Sequence, residues 1–118
     1  MTRMWMVDPE ILCNQHLLGE HKEVHQANGT LKKKMKITGF IRSNCIEPMA
    51  IQSRHDDLAN ELIKRKMNHK SPLEAVDICY LSDEEQKSRI DIDENMCELI
   101  RRCSKCRKKA EEKSYCKF

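Results

Sequence analysis

Aromatic residues are scarce in this chain: two Phe, two Tyr and one Trp among 118 residues. A β-sandwich or barrel draws its core from aromatic and β-branched side chains, so this scarcity argues against both. With only three Gly and three Pro, a succession of tight hairpins is not expected either. No run approaches the roughly 20 apolar residues of a membrane span. The opening Met-Thr-Arg-Met-Trp-Met-Val-Asp lacks the apolar stretch of a signal peptide, and no membrane partner is expected. What is present is a hydrophobic share of 39% and a charged share of 35%, with mean hydropathy −0.75. A core built from Leu, Ile, Met and Ala favours helices. The length suits one modest core. The expectation is an all-α, monomeric domain spanning 1–118, with three main helices, irregular connections and the N-terminal segment packed between helices. Seven cysteines is an odd number. Together with the missing secretory signal, it implies free thiols in a reducing, intracellular compartment, or a metal site, rather than a disulfide framework.

The net charge of +3 is unevenly spread: +4 over residues 1–73, −7 over 74–98 and +6 over 99–118. Basic clusters occur at Lys32, Lys33, Lys34, Lys36 and at Arg101, Arg102, Lys105, Arg107, Lys108, Lys109. On a small domain such clusters suit a polyanion, most often nucleic acid; a solvated helix face is the plain alternative.

Asp8-Pro9-Glu10 reads as a helix start, with Asp8 as N-cap, Pro9 at the first position and Glu10 at the positive end of the dipole. A first helix is expected from Ile11 to about Lys36, with Cys13, Leu17, Val24 and Leu31 on one stripe. His16, Glu20 and Glu23 form the neighbouring stripe. Asn28-Gly29 marks an end or a bend. Residues 37–47 read as irregular. Pro48 opens a second helix to about Met67, with Ile51, His55, Leu58 and Leu62 inward, Asn68 as its C′ residue and Ser71-Pro72 preventing continuation. Ser82-Asp83-Glu84-Glu85 has capping-box spacing. Asp91 or Asp93 caps a last helix with Met96, Leu99, Ile100 and Cys103 inward.

One constellation points further. Thr2-Arg3, then Gln15-His16-Leu17-x-x-Glu20-x-x-Glu23, then Gly29, resembles the phage-type pyrimidine-dimer DNA glycosylases of the endonuclease V type, without gaps over the first quarter of the chain. Met-Trp-Met-Val-Asp-Pro, Leu-Leu-Gly-Glu-His and His69-Lys70-Ser71-Pro72-Leu73 resemble smaller microbial members. The resemblance implies a DNA repair glycosylase with associated AP lyase activity on double-stranded DNA carrying a damaged or abasic nucleotide. It assigns the nucleophile to Thr2 and the acid/base carboxylate to Glu23. Arg3, His16 and Lys22 become contacts to DNA or substrate, and Gln15, His21, Lys32 and Lys33 join them as expected DNA-binding residues.

The chemistry needs these residue types. Initiator Met is normally trimmed before Thr, so Thr2 is expected to carry a free α-amine. That amine has a pKa near 7.7–8.0, against about 10.4 for Lys, and is partly unprotonated at neutral pH. It can attack a sugar C1′ and form an imine. The imine acidifies the C2′ proton, and a nearby carboxylate then drives β-elimination. A carboxylate beside apolar positions is partly desolvated, which raises its pKa toward the acid/base range. Trp5 is expected to anchor the amino end near Glu23 by packing.

The chain also departs from the phage pattern. Gln26 stands where those members carry Arg, and Lys22 replaces an Arg, losing the bidentate fork. The end, Glu-Lys-Ser-Tyr-Cys-Lys-Phe, offers only Tyr115 and Phe118 in place of an aromatic-rich tail. Imine chemistry is therefore a firmer expectation than dimer specificity.

No cofactor is expected and no residue is assigned to a metal, although two patterns have ligand character. His21 and His25 stand at i, i+4 but lack the zincin arrangement; two histidines flanking a groove is the plainer reading. Cys97-x5-Cys103-x2-Cys106-x9-Cys116 holds enough thiols for a four-cysteine zinc site, with a single Cys-x-x-Cys in it. Buried thiols acting as small hydrophobes is the plainer reading there too. Cys13, Cys45 and Cys79 are taken as structural, and His55 as a core histidine. The rival function is a non-catalytic basic nucleic-acid-binding module stapled by that zinc site.

Overall fold

The computed structural model describes residues 3–67 and 73–112. Thr2, Asn68, His69, Lys70, Ser71, Pro72, Tyr115, Cys116 and Phe118 lie outside the described residues. The fold is all-α, with no strand among the described residues. Among the described residues six α-helices follow in order: α1 (Asn14–Lys32), α2 (Thr38–Arg42), α3 (Ile51–Lys64), α4 (Asp83–Gln86), α5 (Ile92–Arg102) and α6 (Ser104–Glu112). Short 3-10 turns, Pro9–Ile11 and Pro48–Ala50, precede α1 and lead into α3. No helix among the described residues is long and apolar enough to cross a membrane.

The main packed pair is α1 against α3. Leu17, Val24 and Leu31 of α1 share one buried cluster with Ile51, Leu58 and Leu62 of α3. The expected α3 stripe is therefore observed, with His55 buried beside it. Each fully buried Leu or Val contributes roughly 1.5–3 kcal/mol relative to exposure. Inside this interface Arg54 donates from Nε and Nη2 to the two carboxylate oxygens of Glu20, at 2.5 and 2.7 Å. Its Nη1 donates to the Val7 carbonyl at 2.7 Å. Both side chains are almost wholly buried, so Glu20 is a structural acid joining α1, α3 and the N-terminal segment.

That segment runs between the helices, as expected. Met4, Trp5 and Val7 are buried, and Met4 N–H donates to the Cys45 carbonyl at 2.8 Å. An extended chain turns alternate side chains to opposite faces; Met6, with φ 60°, breaks that alternation.

The helix boundaries differ from the sequence reading in several places. Asp8 does cap Pro9–Ile11, accepting from Glu10 N–H at 3.0 Å, but this helical turn is 3-10 and stops at once. Ile11, Leu12 and Cys13 are all buried, and one helical face cannot bury three consecutive residues. Leu12 is extended, and Cys13 becomes the N-cap of α1. Asn28-Gly29 does not interrupt α1: Asn28 is buried and donates to the Glu74 carbonyl at 2.9 Å. Within residues 37–47, buried Ile37 precedes a short helix, α2.

The C-terminal helix is two helices. Cys103, at φ −124° and ψ 108°, ends α5 and precedes α6. The expected caps before it are present. Ser82 and Glu85 form a reciprocal capping box, and Asp91 accepts from Glu94 N–H at 3.0 Å. Met96 and Leu99 are buried as expected, while Ile100 and Cys103 are half-buried against the core.

Candidate active site

Glu23 lies on α1 one turn beyond Glu20. The two acids have different fates: Glu20 is consumed by Arg54, whereas Glu23 opens into a pocket of about 300 Å³ lined also by Arg3, Trp5, Cys45 and Arg102. Burial raises the Glu23 carboxyl above the ordinary carboxylate range, and the negative charge of Glu20 raises it further. A hydrogen bond from the Arg3 backbone N–H and the Arg3 guanidinium charge oppose that rise. Here the expectation of a partly desolvated carboxylate is met in its physical cause.

The described start of the chain is held at this pocket by α5. Asn95, buried, donates from Nδ2 to the Trp5 carbonyl at 2.9 Å and to the Met4 carbonyl at 3.3 Å. Its Oδ1 accepts from Arg3 Nη2 at 2.9 Å. Arg3 is thereby placed over the Trp5 ring, 4.3 Å from its centroid, in cation–π contact. The Arg3 Nε is buried with no hydrogen-bond acceptor among the described residues.

Sequence reasoning missed Asn95, Cys45 and Arg102 at this site. Asn95 precedes Met96 on the buried side of α5. A polar residue beside an inward apolar stripe was the available signal. Arg102 was read only as part of a basic run. Nothing in the sequence places Cys45 here, and burial raises its thiol pKa.

The expected DNA-binding residues do not form one group. Arg3 is in the pocket. Gln15 borders a second depression of about 300 Å³, with Cys13, Asn14, Lys105, Lys108 and Lys109, so the basic C-terminal cluster is brought to the start of α1. Lys22 is exposed. Lys32 pairs with Glu74 at 2.6 Å, and Lys33 is the exposed residue closing α1. His21 sits among imidazoles: the His21, His25 and His55 ring centroids lie 4.8–5.1 Å apart.

His16 is placed elsewhere again. Its ring meets Trp5 edge-on at 6.1 Å between centroids, and its Nδ1 lies 3.2 Å from Cys13 Sγ and 3.6 Å from Cys106 Sγ. Burial lowers the His16 pKa, favouring neutral imidazole over a cationic phosphate contact. Burial also pushes the Cys106 thiol up to about 12, which is contrary to what a thiolate nucleophile requires. Cys97, grouped with Cys103 and Cys106 by sequence, is exposed on α5. The structure sets Cys13 and His16 beside Cys103 and Cys106 instead.

A family model described as pyrimidine dimer DNA glycosylase matches residues 2–75. No curated protein and no solved structure matches the chain.

Proposed function

The chain belongs to the pyrimidine dimer DNA glycosylase family, and from that premise we propose that it removes a damaged base and then cuts the strand through an imine made by its own amino end. Thr2, exposed by loss of Met1, supplies the α-amine. The amine nitrogen bonds to C1′ as the glycosidic C–N bond breaks, and Glu23 assists departure of the base. Opening of the sugar ring gives the protonated imine. The Glu23 carboxylate then takes a proton from C2′, and the released electron pair expels the 3′ phosphate by β-elimination. Water hydrolyses the imine and restores the amine.

The position and state of Glu23 carry this reading. Thr2 directly precedes Arg3 in the sequence, and Arg3 lines the same pocket as Glu23. A carboxyl raised by burial is moved toward the range useful for proton transfer. Arg3 and Arg102, lining the same pocket, neutralise the phosphates flanking an extruded nucleotide. Extrusion is required because C1′ chemistry is blocked in stacked duplex. Lys105, Lys108 and Lys109, beside Gln15, hold the backbone outside the pocket.

Borohydride reduction of the protein mixed with abasic-site duplex tests this. The expected product is one covalent adduct, mapped by mass to residue 2 and abolished by acetylating the amino end. Glu23→Gln should still form the adduct while strand cleavage falls about 10²–10⁴-fold. An adduct on a lysine side chain, or cleavage by protein that retains Met1, would refute the proposal.

A further inference from the structure

We propose that Cys13, His16, Cys103 and Cys106 bind one zinc ion that staples α6 to the start of α1. Their four ligand atoms all lie within 4.8 Å of one another. Zinc–sulfur bonds of about 2.3 Å and zinc–nitrogen bonds of about 2.0–2.1 Å, at tetrahedral angles, require edges of about 3.8 Å between sulfurs and about 3.6 Å between sulfur and nitrogen. Cys13 Sγ and Cys103 Sγ are 3.9 Å apart. His16 Nδ1 is 3.6 Å from Cys106 Sγ and 3.2 Å from Cys13 Sγ. A disulfide, at about 2.05 Å, is not what these positions describe.

The local architecture repeats. Cys13 is the N-cap of α1 and His16 its third residue; Cys103 immediately precedes α6 and Cys106 is its third. Each Cys-x-x-ligand pair therefore opens a helix, and the two openings face each other. Thiolates gain there from the positive end of the helix dipole. Backbone amides supply further support: Cys13 N–H donates to Cys106 Sγ at 3.2 Å and Cys106 N–H to Cys103 Sγ at 3.4 Å. On binding, three S–H bonds break and their protons pass to solvent, while three Zn–S bonds and one Zn–N bond form. Zinc with three thiolates and a neutral imidazole carries one net negative charge, next to Lys105, Lys108 and Lys109. Soft thiolates select zinc over magnesium or calcium.

Four protein ligands close the coordination sphere, so the ion is structural and carries out no step at the sugar. Its mechanical effect reaches the pocket nonetheless. Arg102 directly precedes the ligand Cys103, and Trp5 lies edge-on to the ligand His16. Fixing the α5–α6 joint fixes both pocket walls. This inference does not depend on imine chemistry.

Metal analysis and cobalt substitution of the full chain are decisive. The expected result is one zinc per chain in native mass spectra, removed by chelator. Cobalt(II) should give tetrahedral visible bands and an intense thiolate-to-metal charge-transfer band. Cys13→Ser and Cys106→Ser should lose that signature. Cys97→Ser and Cys116→Ser should keep it, and His16→Cys should retain a tetrahedral metal with a shifted spectrum, which guards against a variant that merely misfolds. The proposal is overturned by absence of metal, by a Cys13–Cys103 or Cys103–Cys106 disulfide in the protein as isolated, or by cobalt bands lacking sulfur charge transfer and lost in His55→Ala. The last result would place the metal on the His21, His25 and His55 group.

Discussion

Replacing Arg54 by Met should be among the most damaging single changes in this protein, and its partner change should largely undo it. Arg54 and Glu20 have relative exposures of 4% and 1%. The two Arg–carboxylate bonds, at 2.5 and 2.7 Å, satisfy both oxygens of Glu20. The third Arg54 bond satisfies the Val7 carbonyl. In Arg54→Met the Glu20 carboxylate stays buried between α1 and α3 without a cation, and the Val7 carbonyl loses its donor. Breaking one side of such a pair costs about 3–5 kcal/mol. With a urea slope of about 1.5 kcal/mol/M, the midpoint should fall by about 2–3 M. In Glu20→Leu with Arg54→Met, no buried charge remains, and replacement of a whole pair by apolar residues of similar volume is often neutral or stabilising. The double variant should recover most of the loss. Circular dichroism across a urea series measures all four members of the cycle. A single-variant loss below about 1 kcal/mol, or a double variant no better than Arg54→Met, refutes the reasoning.

Asn95→Ala removes the donors to the Met4 and Trp5 carbonyls and the acceptor for Arg3; a loss of about 2–3 kcal/mol is expected from the buried groups left unpaired, with a matching drop in borohydride-trapped adduct at fixed DNA. For Glu23 the folded pKa is raised, so the folded state holds its proton more tightly than the unfolded chain, and this contribution to stability is lost as pH rises through the folded value. Glu23→Gln should therefore flatten that decline and be the more stable protein at pH 7.5 in paired urea titrations, even as strand cleavage falls. The same raised value should shift the acidic limb of the cleavage profile above the pH of an ordinary Glu. Lys108→Ala should reduce the slope of log affinity against log salt by about 1 for undamaged and abasic duplex alike, as read by fluorescence anisotropy.

Where local signals agreed with tertiary demand, the sequence was legible. Ile51, His55, Leu58 and Leu62 line one face of α3 and are all buried. Ser82-x-x-Glu85 spells out a capping box, and one formed. Asp8-Pro9-Glu10 is an equally good local signal, but burial of Ile11, Leu12 and Cys13 overrode it after one turn. Long-range pairings were harder to read. Nothing near Glu20 names Arg54 as its partner, and nothing near Trp5 names Asn95. The Cys-x-x-His at 13–16 has the same spacing as the Cys-x-x-Cys at 103–106, yet periodicity had already assigned Cys13 to the core stripe and His16 to a polar one. Only the fold brings residues 90 positions apart to one point.

The far end of the chain supplies both the clamp on the first residues, Asn95, and one wall of the pocket, Arg102. During synthesis the stretch matched by the family model emerges first, with its carboxylate but without that clamp or wall. The pocket is assembled only after α5 has left the ribosome and docked, so a polypeptide truncated before residue 95 would have the acid in place but lack the Asn95 bonds to Arg3, Met4 and Trp5 and the Arg102 wall.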